Sequence, residues 1–158
     1  MIKNPIQLIN DFLHASGDAN DLSIIQHELL LAPHIPKSLP VNKCAIYVFS
    51  ISQFYGEIHP VGANRILKVG KVGPKSNARF LSQHYNPKSA KSTLAGSIIR
   101  SKILWSFLGF ERIDENSIKD WLLAFTDRDH FYLDEKNINL LDDLEVYLRA
   151  HLGPVFEG

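Results

Sequence analysis

The sequence predicts an α+β domain: a small three-stranded, mainly antiparallel sheet flanked by helices, preceded by a helical appendage. Three observations predict it. Short, apolar, β-prone runs occur at 44–49, 66–70 and 130–133. Stretches of helical periodicity separate and follow them, which is the element pattern of a short sheet with helices packed on it. Pro33, Pro36 and Pro40 then break regular structure ahead of the first strand, so residues 1–40 read as a helical appendage and linker before a domain over 43–158.

In chain order, Asn4-Pro5 is a cap followed by a first-turn proline, with Ile6, Ile9 and Leu13 at helical spacing. Asp21 is placed to cap a second helix, in which Leu22, Ile25 and Leu29 would form the apolar stripe. Strands at 44–49 and 66–70 are joined by an excursion rich in turn formers, with Gly56, Pro60 and Gly62. Ser76 precedes a helix presenting Arg79 and Gln83 on one face and Phe80 and His84 on another. Ser92 precedes the next, with Leu94, Ile98 and Ile99 apolar. Ser117 opens a capping-box-like start to a run of Ile118, Trp121, Leu122 and Phe125, a helix by spacing, although 121–125 also suits a buried strand. The last helix carries Leu141, Leu144, Leu148 and Leu152, and Gly153-Pro154 stops it.

At 158 residues, 45% hydrophobic and 22% charged, the chain has the composition of one globular domain. No apolar run is long enough to span a bilayer, and no secretory pattern opens the sequence, so no membrane partner is expected. Cys44 is the single cysteine, which excludes an internal disulfide and makes a cytoplasmic setting the expectation. No Cys/His cluster has zinc spacing, and neither a phosphate loop of the GxxxxGK type nor a dinucleotide fingerprint occurs.

Charge is unevenly placed. The chain balances seventeen Lys/Arg against seventeen Asp/Glu, yet between Glu57 and Glu111 there is no acid and nine bases: Arg65, Lys68, Lys71, Lys75, Arg79, Lys88, Lys91, Arg100 and Lys102. A local field of that kind attracts polyanions, although a solvated basic face without a ligand has the same composition. A second anomaly is Glu145, four residues after Leu141 and three before Leu148. Helical offsets place its carboxylate on the leucine stripe and not with Asp142 and Arg149. It is then a stripe-edge residue reaching water, the partner of a buried arginine, or a cation ligand. A lone carboxylate supplemented by substrate oxygens and water is how Mg²⁺ is usually held at phosphate chemistry.

Ala45-Ile46-Tyr47 and Lys68-Val69-Gly70 on successive strands, Arg79 on the following helix and Glu145 on a later one are together similar to the GIY-YIG nuclease family. The resemblance spans roughly residues 43–158. Ala45 stands in place of the first glycine, and Lys68 in place of the second tyrosine, as in some restriction-enzyme members. The connection between the tripeptides is longer than the usual hairpin, and Glu157 stands where the family closes on asparagine.

The resemblance implies a metal-dependent endonuclease hydrolysing DNA, expected to be double-stranded, with Mg²⁺ or Mn²⁺ as cofactor and a place in restriction or defence against foreign DNA. It implies Glu145 as metal ligand, Arg79 on the phosphate and Tyr47 as the base or water-orienting group. A phenol with a pKa near ~10 needs a cation beside it to act at neutral pH, a role that Lys68 on the adjacent strand would supply. His84 is an additional proton-transfer or phosphate-contacting candidate. Lys71, Lys75, Lys88, Lys91, Arg100 and Lys102 are candidates for backbone phosphate contacts. One such site cuts one strand, so a double-strand break calls for a homodimer or two encounters. The competing expectations are a catalytically inactive nucleic-acid-binding module of the same shape, and a toxin-like protein whose N-terminal helices engage another subunit.

Overall fold

A computed structural model describes residues 4–15, 25–89 and 93–156. Helix α1 (Pro5–Ala15) begins as the Asn-Pro pair dictates: the Asn4 side-chain oxygen accepts the Ile6 N–H at 2.8 Å. Its apolar spacing buries Leu8, Ile9 and Leu13.

Strand β1 (Ile25–Leu30) corrects the expected second helix, and the expected capping position Asp21 lies outside the described residues. The Ile25/Leu29 spacing is compatible with a helix, but here tertiary pairing decides. β1 runs antiparallel to β4 (Thr126–Asp134), with Ile25 opposite Leu133 and Leu30 opposite Arg128. An unpaired β4 edge would leave a row of backbone N–H and C=O groups to satisfy, and β1 satisfies them.

The sheet therefore has four strands, not three. β2 (Lys43–Ile51) and β3 (Ile66–Val72) complete it in the order β1-β4-β2-β3, with every neighbouring pair antiparallel. Within 1–40, residues 25–30 supply an edge strand of the sheet, and α1 packs on the C-terminal helix α7 (Leu141–Leu152).

Helices cover both faces of β2, which is why it reads as an almost unbroken apolar run. On one face Ala45, Tyr47, Phe49 and Ile51 join Phe80 of α3 (Asn77–Leu81), Leu94, Ala95 and Ile98 of α4 (Leu94–Arg100), and Leu122 of α6 (Ile118–Phe125). On the other, Cys44, Ile46 and Val48 join Leu8, Ile9 and Leu13 of α1 and Leu141, Leu144 and Leu148 of α7. Residues 118–125 are thus a helix, as their spacing favours. Thr93 caps α4, its hydroxyl accepting the Gly96 N–H at 3.1 Å, while Ser92 lies outside the described residues.

The excursion between β2 and β3 holds a short helix, α2 (Gln53–Ile58), and a further one, α5 (Trp105–Leu108), follows α4. After α7 the chain turns at Gly153-Pro154 and runs along β3. Val155 and Phe156 donate backbone N–H groups to the carbonyls of Ile66 and Leu67 at 3.0 and 2.9 Å. This tail crosses the β3 edge, because Phe156 belongs to the Tyr47-side core while α7 lies on the opposite face. Among the described residues no helix is long and apolar enough to cross a membrane.

Candidate active site

The two tripeptides singled out in the sequence lie side by side. Antiparallel register sets Tyr47 opposite Gly70 and Phe49 opposite Lys68, so Tyr47 and Lys68 share one face on a diagonal. Gly70 is what lets the tyrosine lie there. A Cβ at Gly70 would stand 2.3 Å from Tyr47 Oη and 2.4 Å from its Cζ. The phenol ring crosses the edge strand through the space a side chain would occupy.

Tyr47 Oη is hydrogen-bonded to His84 Nε2, and the tautomer follows from the backbone. The Leu94 N–H donates to His84 Nδ1 at 3.1 Å, so Nδ1 carries no proton and Nε2 is the donor. Burial first, then the charges of Arg79, Arg128 and Lys68, push the imidazole pKa down to about 2. His84 is therefore a neutral, fully buried donor that positions Tyr47, which corrects its expected role as a proton shuttle or phosphate contact. Arg79, half-buried on α3, also hydrogen-bonds Tyr47. Burial, the largest influence, holds the phenol pKa above its ordinary value; Arg79 and Arg128 pull it down, and Glu145 pushes it up. The strongest cationic influences on Tyr47 are these two arginines.

Lys68 is sealed in the sheet at 1% exposure. Burial, then Arg149 and Arg79, lower its ammonium to about 8 against the pull of Glu145. Glu145 reaches this group from α7, with its side chain 13% exposed. Its carboxylate is 3.8 Å from Arg149 Nη1 and 4.0 Å from Lys71 Nζ, both longer than a hydrogen bond. The acid turns inward on its helix and lies beside a cluster of cations. A carboxylate so placed suits a Mg²⁺ ion, which takes one or two carboxylates and completes its shell with water and phosphate oxygens. No group of three His, Cys, Asp or Glu side chains with metal-binding geometry occurs among the described residues, so such an ion would rest on Glu145 as its protein ligand.

Five side chains from separate segments thus converge: Tyr47 from β2, Lys68 from β3, Arg79 from α3, His84 from the short 3₁₀ turn Gln83–Tyr85, and Glu145 from α7.

The expected phosphate-contacting set is less uniform. Lys71 borders the site but is paired with Asp142. Lys88 is paired with Glu115 at 2.9 Å, and Lys102 lies 6.0 Å from the Trp105 ring centroid. Lys75 and Arg100 are exposed, and Lys91 lies outside the described residues, as does Glu157. The acid-free run of sequence meets its acids in three dimensions, from the 111–115 loop and from α7.

Two residues were missed. Arg149 stands one helical turn beyond Glu145 and turns towards it and Lys68 instead of the wet side; the i, i+4 spacing was the available signal. Arg128, which lies between Asp127 and Asp129, is fully buried within β4 on the Tyr47 face. Its neighbours point the other way. Asp127 accepts the Ala32 N–H at 2.8 Å, and Asp129 bonds His27 at 2.6 Å. Strand alternation would have assigned these faces had 126–129 been included in the strand.

No protein family, curated protein or solved structure matches the chain.

Proposed function

We propose that this chain is a metal-dependent endonuclease of GIY-YIG type that hydrolyses phosphodiester bonds in DNA. The observation that carries the reading is the convergence of Tyr47, Lys68, Arg79, His84 and Glu145 from five segments on one spot at the sheet edge. Buried ionisable groups with strongly displaced pKa values, gathered at one place, mark sites of chemistry more often than scaffolding.

In this reading Arg79 grips the scissile phosphate in a bidentate fork and Arg149 adds a second positive contact. Tyr47, held by His84 and Arg79, takes the proton of the attacking water as a phenolate. The water oxygen bonds to phosphorus, and the bond to the 3′ oxygen breaks, with a solvent proton completing the leaving hydroxyl. Lys68, at about 8, holds or yields a proton near neutral pH and restores the charge balance beside Tyr47. Glu145 would hold Mg²⁺ or Mn²⁺, whose charge offsets that of the phosphate and the departing oxygen.

The test is nicking of supercoiled plasmid by purified protein with Mg²⁺, beside Glu145→Ala, Arg79→Ala and Tyr47→Phe. Wild type is expected to cut, with each variant slower by ~10²-fold or more. Equal cutting by wild type and Glu145→Ala would overturn the assignment. A second reading, a DNA-binding module without turnover, is favoured by the sealing of Tyr47 and Lys68 at 0% and 1% exposure. Duplex retardation that weakens steeply with salt, with no cleavage under Mg²⁺ or Mn²⁺, would select it.

A further inference from the structure

We propose that Arg128 is the internal counter-charge of a Tyr47 phenolate, so that a buried guanidinium on β4 governs when the base ionises. The proposal rests on the reading of Tyr47 as the base.

Arg128 is fully buried, and its surroundings are aromatic. Its Cζ lies 4.6 Å from the Phe80 ring centroid, 4.8 Å from Phe49, 5.1 Å from Tyr47 and 5.9 Å from Tyr85. One terminal nitrogen donates to the Phe80 carbonyl at 2.6 Å and the other to Tyr85 Oη at 3.2 Å, while Nε has no partner. Among the described residues no carboxylate pairs with it, since the flanking Asp127 and Asp129 engage Ala32 and His27 on the opposite face. Ring faces attract a cation but leave its charge uncompensated. A buried charge without an anion is a costly arrangement, and the two phenols at hand are the groups able to supply one.

Only one of them is arranged to lose its proton. Tyr85 donates to His34 Nε2 at 2.6 Å, and His34 Nδ1 in turn donates to the Thr126 carbonyl at 2.8 Å. That chain commits the Tyr85 proton. The Tyr47 oxygen instead receives hydrogen bonds from His84 and Arg79, and no acceptor for its own proton occurs among the described residues. Two donors aimed at a phenol oxygen favour the ionised form. Phenolate charge also spreads into the ring, so a guanidinium over the ring face attracts the anion more than the neutral phenol.

The other groups around Tyr47 are consistent with this. Arg79 comes from α3, Lys68 from β3 and the neutral His84 from the 3₁₀ turn. Glu145 approaches from α7. His130 on β4 is held neutral by burial and by Arg128, against the pull of Glu28 on its Nδ1.

The experiment is ¹⁹F NMR of the full chain carrying 3-fluorotyrosine, titrated towards alkaline pH, with Tyr47→Phe assigning the resonance among the five tyrosines. Arg128→Met is expected to move Tyr47 ionisation to higher pH, and Arg128→Lys to return most of the way. In plasmid cleavage, the rising limb of the pH profile is expected to follow the same displacement. An unchanged Tyr47 titration in Arg128→Met, or a lysine variant no different from methionine, overturns the proposal. Should Arg128→Met not fold, the unmutated protein decides: Tyr47 must ionise before Tyr132, whose proton is held by Glu28 at 2.8 Å, and the reverse order overturns the proposal. The titration needs no turnover. Coupling without cleavage would refute the nuclease reading alone, and cleavage without coupling would refute Arg128 alone.

Discussion

Replacing Gly70 with alanine should damage the candidate site without removing a single polar group. The new methyl would meet Tyr47 Oη at 2.3 Å, Cζ at 2.4 Å and Cε2 at 2.6 Å, more than ~1 Å inside ordinary non-bonded separation. The ring has little room to retreat. Phe49, Phe80 and His84 flank it with centroids at 6.1, 6.4 and 4.9 Å, and Arg128 lies over its face. Overpacking of this kind costs about 1–3 kcal/mol. Loss of glycine's freedom in the unfolded chain returns about 0.4–1 kcal/mol, so the net effect is a loss of roughly 1–2 kcal/mol. For a domain this size that lowers Tm by about 2–8 °C. Gly73→Ala supplies the control. Three residues on, a methyl meets nothing within 4 Å, and the same entropic term should leave the protein unchanged or slightly more stable. Urea unfolding and calorimetry of the pair measure the difference directly. If Gly70→Ala proves as stable as Gly73→Ala, the close approach of Tyr47 to the β3 backbone is wrong, and the site geometry falls with it.

Acid should destabilise the fold. Burial lowers the pKa of His34, His84 and His130, so below ~6.5 the unfolded chain takes up protons the folded chain refuses. Each contributes up to ~1.4 kcal/mol of lost stability per pH unit, and Tm is expected to fall steeply from pH 6 to 5; a flat profile there would contradict three neutral buried imidazoles. Glu28 acts in the same direction lower down. Although burial opposes it, hydrogen bonds from Lys37, Tyr132 and His130 bring its carboxyl to about 2, so its stabilisation is lost as pH falls below ~4.5. Thr93→Ala should cost ~1 kcal/mol by removing the α4 cap, read as a lower urea midpoint at constant slope.

Much of the architecture was legible because local signals agreed with it. The Asn4-Pro5 start, the leucine stripe of α7 and the apolar runs of β2, β3 and β4 all formed as spacing and composition dictate. β1 was not legible. The apolar positions Ile25 and Leu29 fit either period, and only the unsatisfied edge of β4, a non-local fact, selects the strand. The short α2 hides in a stretch dense with turn formers because its six residues allow too few apolar repeats to establish a period. For the site, helix spacing singled out Glu145, and the resemblance to the GIY-YIG family pointed to Tyr47, Lys68 and Arg79. They did not reveal that His84 is fixed by the Leu94 amide, or that Arg128 enters the core, since both depend on elements remote in sequence.

The two faces of the sheet provide the strongest physical contrast. Both are covered by helices, so burial alone asks the same of each. Against α1 and α7 the packed strand residues are Cys44, Ile46, Val48, Val69, Phe131 and Leu133, and the charged strand residues of that face, Lys71, Asp127 and Asp129, are only half-buried. Against α3, α4 and α6 the same strands place Tyr47, Lys68, Arg128 and His130 in the interior. An apolar filling of similar volume often stabilises a buried face at least as well. Polar groups kept only to fix register would be expected to neutralise one another in hydrogen-bonded pairs. Glu28 does so with Lys37, and accepts from Tyr132 and His130 besides, but Arg128 has rings and neutral oxygens around it, and Lys68 lies near two arginines and Glu145. Positive side chains gather where the β3 edge, α3 and α7 meet, a placement that attracts anions.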